Sequence, residues 1–288
     1  MTVTVASDLF QPEVVADAVQ AAIAEGLPVF QGNPAAIVQG GMPAPPNGLG
    51  AQITIPYFAS LGEWEETADG TALTPAQLTQ SEEVATITHG GKAVEITKWA
   101  LANGTDPNTA ISTACIGGMT RYIESKLLVA AQANVATEWD AYTHDVSGGA
   151  TITYDAIVEA MALFGDESDD LVGLAMHSKV AKDLRLLKGT DGLPIFTDAV
   201  AGGLPRVLGI PVIISNKLAP VSTVYKTLLL RRGALVSWIA DISDGDVQAD
   251  HNILTNTDVF AIHAYMACHR YLHLNGRTYP GVVHLLTD

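Results

Sequence analysis

The sequence predicts an α+β fold of mixed rather than regularly alternating elements. Three observations predict it: a long helical pattern opened by Asp106-Pro107, strand-like runs with period two on both sides of it, and no repeating strand–helix–strand series. The 288 residues suffice for one large or two ordinary domains. Hydrophobic residues make up 48% and charged residues 16%, against about 25% charged in an ordinary globular chain. This excludes an intrinsically disordered protein, which combines low hydrophobicity with high charge. Fifteen basic against 31 acidic residues leave a formal charge of −16. Such a surface repels phosphate backbones, so binding of nucleic acid through a basic patch is not expected. A chain with little charge and much apolar surface needs a cover for it, and the simplest cover is further copies of itself.

Taken in order, Pro12 opens a first helix, and Val14, Val15, Ala18, Val19, Ala22 and Ile23 give it one apolar face before Gly26 and Pro28 stop it. Residues 32–50 are rich in Gly, Pro and Asn and read as an extended arm rather than core. Residues 53–58 read as a strand, and 84–100 as a longer strand or strand pair broken at Gly90-Gly91. The polar, acidic run 62–83 joins them into a long hairpin. A two-stranded ribbon is marginal in water, so it needs a neighbour. Asp106 as N-cap and Pro107 as first helical residue then start a helix running to about Thr137, roughly 45 Å long. Gly117-Gly118 inside it cost about 1 kcal/mol each relative to Ala and predict a kink. Thr153 caps a helix reaching Phe164, 171–176 is a buried strand, and Ser178 caps a helix over 179–187. Strands follow at 210–215, 224–230, 234–239 and 259–274.

Enzyme signatures fail on inspection. Gly90-Gly91-Lys92-Ala93 lacks both the upstream Gly (Thr86 stands there) and the Ser/Thr of a phosphate loop. Gly48-Leu49-Gly50 has Ile53 where a dinucleotide fingerprint needs its third Gly, and no Gly-x-Ser-x-Gly elbow occurs. Cys115 and Cys268 are too few for a disulfide framework and read as small buried hydrophobes. His263, His269 and His273 would share one face of a strand but span about 30 Å, too far for one ion. The acidic runs 166–170 and 241–246 lack EF-hand spacing and read as solvated turns. Glu63, Glu65 and Glu66 fall on the hairpin rather than in a pocket, with solvated or intersubunit salt-bridging roles. No catalytic, cofactor-binding or metal-binding residue is assigned, and no enzyme activity is expected. The N-terminus lacks a secretory signal and no run reaches about 18 uninterrupted apolar residues, so a soluble, intracellularly made protein is expected.

The order of arm, long hairpin, long helix, compact mixed domain and final strand resembles the major capsid proteins of tailed bacteriophages, the family with the HK97-type shell fold. The resemblance runs from Phe10 to Leu286 and rests on segments. They are the arm residues from Phe10 to Val15, and Gly50 to Pro56 with Glu65-Glu66 and Leu73-Thr74-Pro75 as the extended loop. Asp106-Pro107 opens the spine helix, Leu171 to Ser178 and Gly209 to Ser215 supply axial-domain elements, and Tyr265 to Val283 return to the peripheral domain. The resemblance implies an N-terminal arm over 1–50, an extended β-hairpin loop over 51–100, a peripheral domain with the spine helix over 101–150, an axial domain over 151–250, and C-terminal strands over 251–288.

It further implies a shell subunit that forms pentamers and hexamers and closes into an icosahedron around double-stranded DNA. The particle would be assembled in the bacterial cytoplasm and the protein would reside in the virion. The chain starts about ten residues before the arm helix, which suggests a separate scaffolding protein; a portal and a decoration protein are further partners, with no sequence-specific nucleic acid and no membrane. Covalent crosslinking through a Lys–Asn pair is not expected. The net negative charge would keep the inner surface from gripping packaged DNA. An encapsulin-like cellular compartment, or a soluble enzyme without a recognisable motif, are the alternatives.

Overall fold

Two six-stranded sheets and one long helix between them organise the chain. The computed structural model describes residues 17, 33–41, 52–58, 66, 80–102, 107–133, 142–188, 206–240, 247–271 and 279–288, and all structural statements concern these. The expected arm helix after Pro12 and the ribbon tip at 59–79, apart from the exposed Glu66, lie outside them.

The first sheet is built around β3 (Gln80–Thr97) and β11 (Thr257–Arg270), with the order β1 (Ala36–Gly40), β9 (Leu235–Ile239), β11, β3, β2 (Gln52–Phe58). A further strand, β10 (Val247–Asn252), pairs with the start of β11. β3 is a single strand of 18 residues, roughly 60 Å long. Its first part pairs with β2, from Phe58↔Gln80 to Gln52↔Thr86. Its remainder pairs antiparallel with β11, from Ile87↔Ala267 to Thr97↔Thr257. The expected break at Gly90-Gly91 is therefore absent. Both glycines sit where a neighbour comes close: a Cβ on Gly90 would lie 2.8 Å from the Tyr122 ring, and one on Gly91 3.0 Å from His263 Nδ1. They are spacers within the strand, not punctuation.

The second sheet has the order β4 (Thr143–Asp145), β12 (Val282–Thr287), β8 (Tyr225–Arg231), β5 (Leu171–Met176), β7 (Ile210–Ile214), β6 (Arg206–Val207). The sheet combines parallel pairs, β12–β4 and β5–β7, with antiparallel ones, which is the mixed character expected. Ahead of the spine helix, a short helix α1 (Lys98–Ala102) follows β3 directly. The spine helix α2 runs from Pro107 to Gln132 without interruption at Gly117-Gly118. The cost of the two glycines is offset where Ile123, Leu127, Leu128 and Ala131 are sealed from solvent. The even residues Phe260, Ile262, Ala264 and Met266 of β11 share a core with these helix residues, and so do Ala175, Leu228 and Val282 of the second sheet. A separate core lies under α3 (Tyr154–Ala162) and α4 (Ser178–Leu186), where Ile157, Phe164, Val180 and Leu184 meet Leu174, Leu229 and Leu285.

Thr153 caps α3 as expected, its hydroxyl accepting from the Ala156 N–H at 3.1 Å. At α4 the cap is His177 rather than Ser178: His177 Nδ1 accepts from the Lys179 N–H at 3.0 Å, which moves Ser178 to the first helical position. The arm reading of 32–50 also needs correcting. Within it, β1 pairs in parallel with β9, Ala35 is fully buried, and Asn33 donates to the Val172 carbonyl at 2.7 Å. Residues 33–41 belong to the body.

Candidate assembly surface

The two sheets divide the chain's side chains into those that lock the body and those left outside it. At the C-terminal end of α2, three side chains from three strands meet the last carbonyls. Arg270 of β11 donates to the Ala131 carbonyl at 3.3 Å, His284 Nε2–H of β12 donates to the same oxygen at 2.7 Å, and Lys226 of β8 donates to the Gln132 carbonyl at 3.2 Å. The partial negative charge of a helix C-terminus suits these donors. One strand belongs to the first sheet and two to the second, so this clasp fastens both sheets to one helix end. Burial pushes Arg270 down to about 10, against the pull of Glu83, and lowers Lys226 as well. Burial holds the His284 imidazole down to about 2, opposed by its bond to Ala131, with the positive Arg270 and Lys226 acting in the same direction as burial.

A second lock lies at the far edge of β8. Arg231 is 1% exposed, ion-paired with Glu167, and 3.2 Å from the Asp170 carboxylate. Both acids come from the 3₁₀ turn Gly165–Asp170 that leads into β5. The run 166–170 is thus not merely a solvated turn: two of its carboxylates hold the guanidinium that β8 buries.

Outward, the hairpin is less independent than its sequence suggests. At its base Ile53 and Ala85 pack on Val236, Trp238 and Ala267, all buried, so the ribbon's neighbour is the chain's own first sheet. Farther out, Phe58 and Val84 are exposed. The clearest unburied apolar feature lies at the opposite end of β3. The β10–β11 turn exposes Ile253 by 82% and Leu254 by 96%, and Trp99 of α1 by 78%. The turn's polar groups are engaged locally: Leu254 N–H donates to Asn252 Oδ1 at 3.1 Å, and Thr257 donates to Glu95 at 2.5 Å. Asn256 takes φ +52°, a left-handed conformation that Asn tolerates, and its carbonyl accepts from Lys98 N–H at 3.2 Å. A turn held this way presents two aliphatic side chains and, through α1, an indole at one tip.

Other residues singled out in the sequence are placed as follows. Cys115 is buried and Cys268 partly so, both as free thiols whose pKa burial raises. Cys115 lines a cavity of about 270 Å³ between α2 and the sheet, together with Met119, Tyr122, Gly90, Ile262 and Met266. His263 stacks on His89, while His269 bonds Glu83 at 2.6 Å; His273, Glu63, Glu65 and the run 241–246 lie outside the described residues. Among the described residues no group of three or more His, Cys, Asp or Glu side chains is placed to hold a metal ion, and no helix is long and apolar enough to cross a membrane. Neither the clasp nor the exposed tip was singled out in the sequence. The tip's only sequence signal is an aliphatic pair, Ile253-Leu254, inside a polar turn.

Residues 100–235, from α1 to the start of β9, match the phage capsid family. The fold is that of phage capsid subunits, and the middle of the chain matches their family. The capsid of an empty GTA particle superposes with a TM-score of 0.68 at 14% identity, covering 88% of each chain. A structure from Microbacterium phage Oxtober96 gives 0.59 at 15% identity over 91% of each chain. The capsid of Ralstonia phage GP4 gives 0.57 at 12% identity over 83% of this chain and 84% of that one. No curated protein sequence matches the chain. These likenesses do not favour the encapsulin-like alternative.

The clasp has a consequence with pH. In the folded state His284 stays neutral, whereas in the unfolded chain it titrates at the usual histidine value of about 6.5. Below that value the unfolded state binds the extra proton. The contribution of His284 to stability is therefore complete above about pH 6.5 and is lost as pH falls, by at most about 1.4 kcal/mol per pH unit. His284→Gln keeps a donor for Ala131 and removes the titration. Its urea midpoint is expected to fall less between pH 7 and pH 5 than that of the parent chain. Equal slopes for the two would show that His284 does not carry this dependence.

Proposed function

We propose that the protein is the major capsid subunit of a tailed bacteriophage, copies of which form pentamers and hexamers and close into an icosahedral shell around double-stranded DNA. In this reading the arm is the part of 1–50 outside residues 33–41, which belong to the body; 51–100 form the extended loop, 101–150 the peripheral domain, 151–250 the axial domain and 251–288 the returning strands. A scaffolding protein, a portal and a decoration protein are its partners, and assembly takes place in the host cytoplasm before the protein becomes part of the virion. The observation that carries it is the exposed apolar tip of Trp99, Ile253 and Leu254 on a chain of capsid fold. A single subunit leaves that surface in water, and a closed lattice repeats its burial at every copy.

The experiment removes 65–74, the outer part of the ribbon. The base of the ribbon at Ile53 and Ala85 remains, so the shortened chain is expected to keep its fold by circular dichroism and its thermal midpoint within a few degrees. Negative-stain microscopy and sizing chromatography are expected to show large closed particles for the full chain and none for the deletion. Closed particles of normal yield from the shortened chain would remove the ribbon from the assembly contacts. A full chain that stays a discrete small oligomer under every condition would remove the shell reading.

A further inference from the structure

On the face of the first sheet opposite α2, two histidines meet across neighbouring strands. His89 lies on β3, paired with Tyr265, and His263 lies one pair further along β11, opposite Gly91. His89 Nε2 and His263 Nδ1 are 3.1 Å apart, with one ring's N–H donating to the bare nitrogen of the other. The rings stack with centroids 5.1 Å apart and planes 19° from parallel, and the Tyr265 ring sits 5.0 Å from that of His89. A Cβ on residue 91 would come within 3.0 Å of His263 Nδ1, so glycine at this position leaves that nitrogen uncovered.

We propose that this pair is a two-imidazole chelating site for a late first-row divalent cation, Cu²⁺ ahead of Ni²⁺ and Zn²⁺. Nitrogens 3.1 Å apart, each about 2.0–2.1 Å from an ion, subtend roughly 95–102° at it, which suits adjacent positions of a tetragonal or octahedral centre. The ion takes the place of the shared hydrogen. The donor ring binds in its other tautomer, its proton carried on the ring nitrogen that faces away, so two neutral imidazoles lose no proton on binding. Both rings reach solvent, and water fills the remaining positions. Mg²⁺ and Ca²⁺, which take oxygen ligands, are excluded by the donor set. Because β3 and β11 contribute one ligand each, the bound ion ties the two strands together, and mass action raises the stability of the folded chain. The site is independent of whether the chain builds shells.

The test is a calorimetric titration of the purified full chain with CuCl₂ at neutral pH, with electron paramagnetic resonance to read nitrogen coordination. One saturable site per chain is expected, with two coordinated imidazoles, no response to MgCl₂, and a raised thermal midpoint. His89→Gln and His263→Gln are each expected to weaken binding roughly tenfold or more. His269→Gln, on the same face but bonded to Glu83, is expected to bind as the parent does. As a readout without substitutions, sub-stoichiometric Cu²⁺ should broaden the imidazole resonances of His89 and His263 first. Absence of saturable binding, parental affinity in either site variant, or broadening that begins at other histidines would each overturn the proposal.

Discussion

Arg231→Ala is expected to be the most damaging single substitution described here, lowering unfolding free energy by about 3–5 kcal/mol. The guanidinium is 1% exposed and sits between the Glu167 and Asp170 carboxylates, and it also donates to the Tyr279 carbonyl at 3.3 Å. Truncation removes the stem that fills this part of the interior and leaves two carboxylates beside a void. Glu167 is the more enclosed of the two, so most of the penalty falls there. The 3₁₀ turn Gly165–Asp170 leads straight into β5, and loosening it frees the β5–β8 ladder where its register already shifts between Leu171 and Gly173. Arg231→Lys keeps the charge but not the fork, and is expected to recover only part of the loss. Urea unfolding followed by tryptophan fluorescence and circular dichroism checks both. A loss below about 1 kcal/mol for Arg231→Ala would mean that the ion pairs barely repay their desolvation.

The second large effect concerns assembly rather than folding. Ile253→Asp combined with Leu254→Asp is expected to leave monomer stability within about 0.5 kcal/mol of the parent and to abolish closed particles. Both side chains point almost wholly into water in the single chain, so their replacement costs the fold little. In a lattice each would contribute about 1.5–3 kcal/mol on burial, and the loss recurs at every copy of the contact. Sizing chromatography and negative-stain microscopy under conditions where the parent assembles give the answer. Particles of normal yield from the double variant would show that this tip faces solvent in the shell as well.

Much of the architecture was legible because local chemistry and final structure agree. α2 begins at Pro107, Thr153 caps α3, and the apolar runs of β5, β7, β8 and β9 appear where period and turn residues place them. What escaped depends on partners far along the chain. β1 is five residues among glycines and prolines, and it is a strand because Leu235–Ile239 lies beside it. β10 is polar at Gln248, Asp250, His251 and Asn252, and its identity comes from register with β11. Gly90-Gly91 looks like a break until Tyr122 and His263 are seen to crowd it. The clasp on α2 draws Lys226, Arg270 and His284 from three strands, a convergence that no spacing rule can show. The exposed tip was invisible for the opposite reason: its aliphatic pair is defined by what does not cover it.

β3 gives its first residues to the ribbon and the rest to β11 with no joint between them. Tension applied to the ribbon therefore enters the body lengthwise along one covalent backbone. The eleven paired positions from Ile87 to Thr97 then share that load in parallel, as a lap joint does, instead of opening one after another like a zip. A particle swollen from within would stretch such subunits without unravelling them.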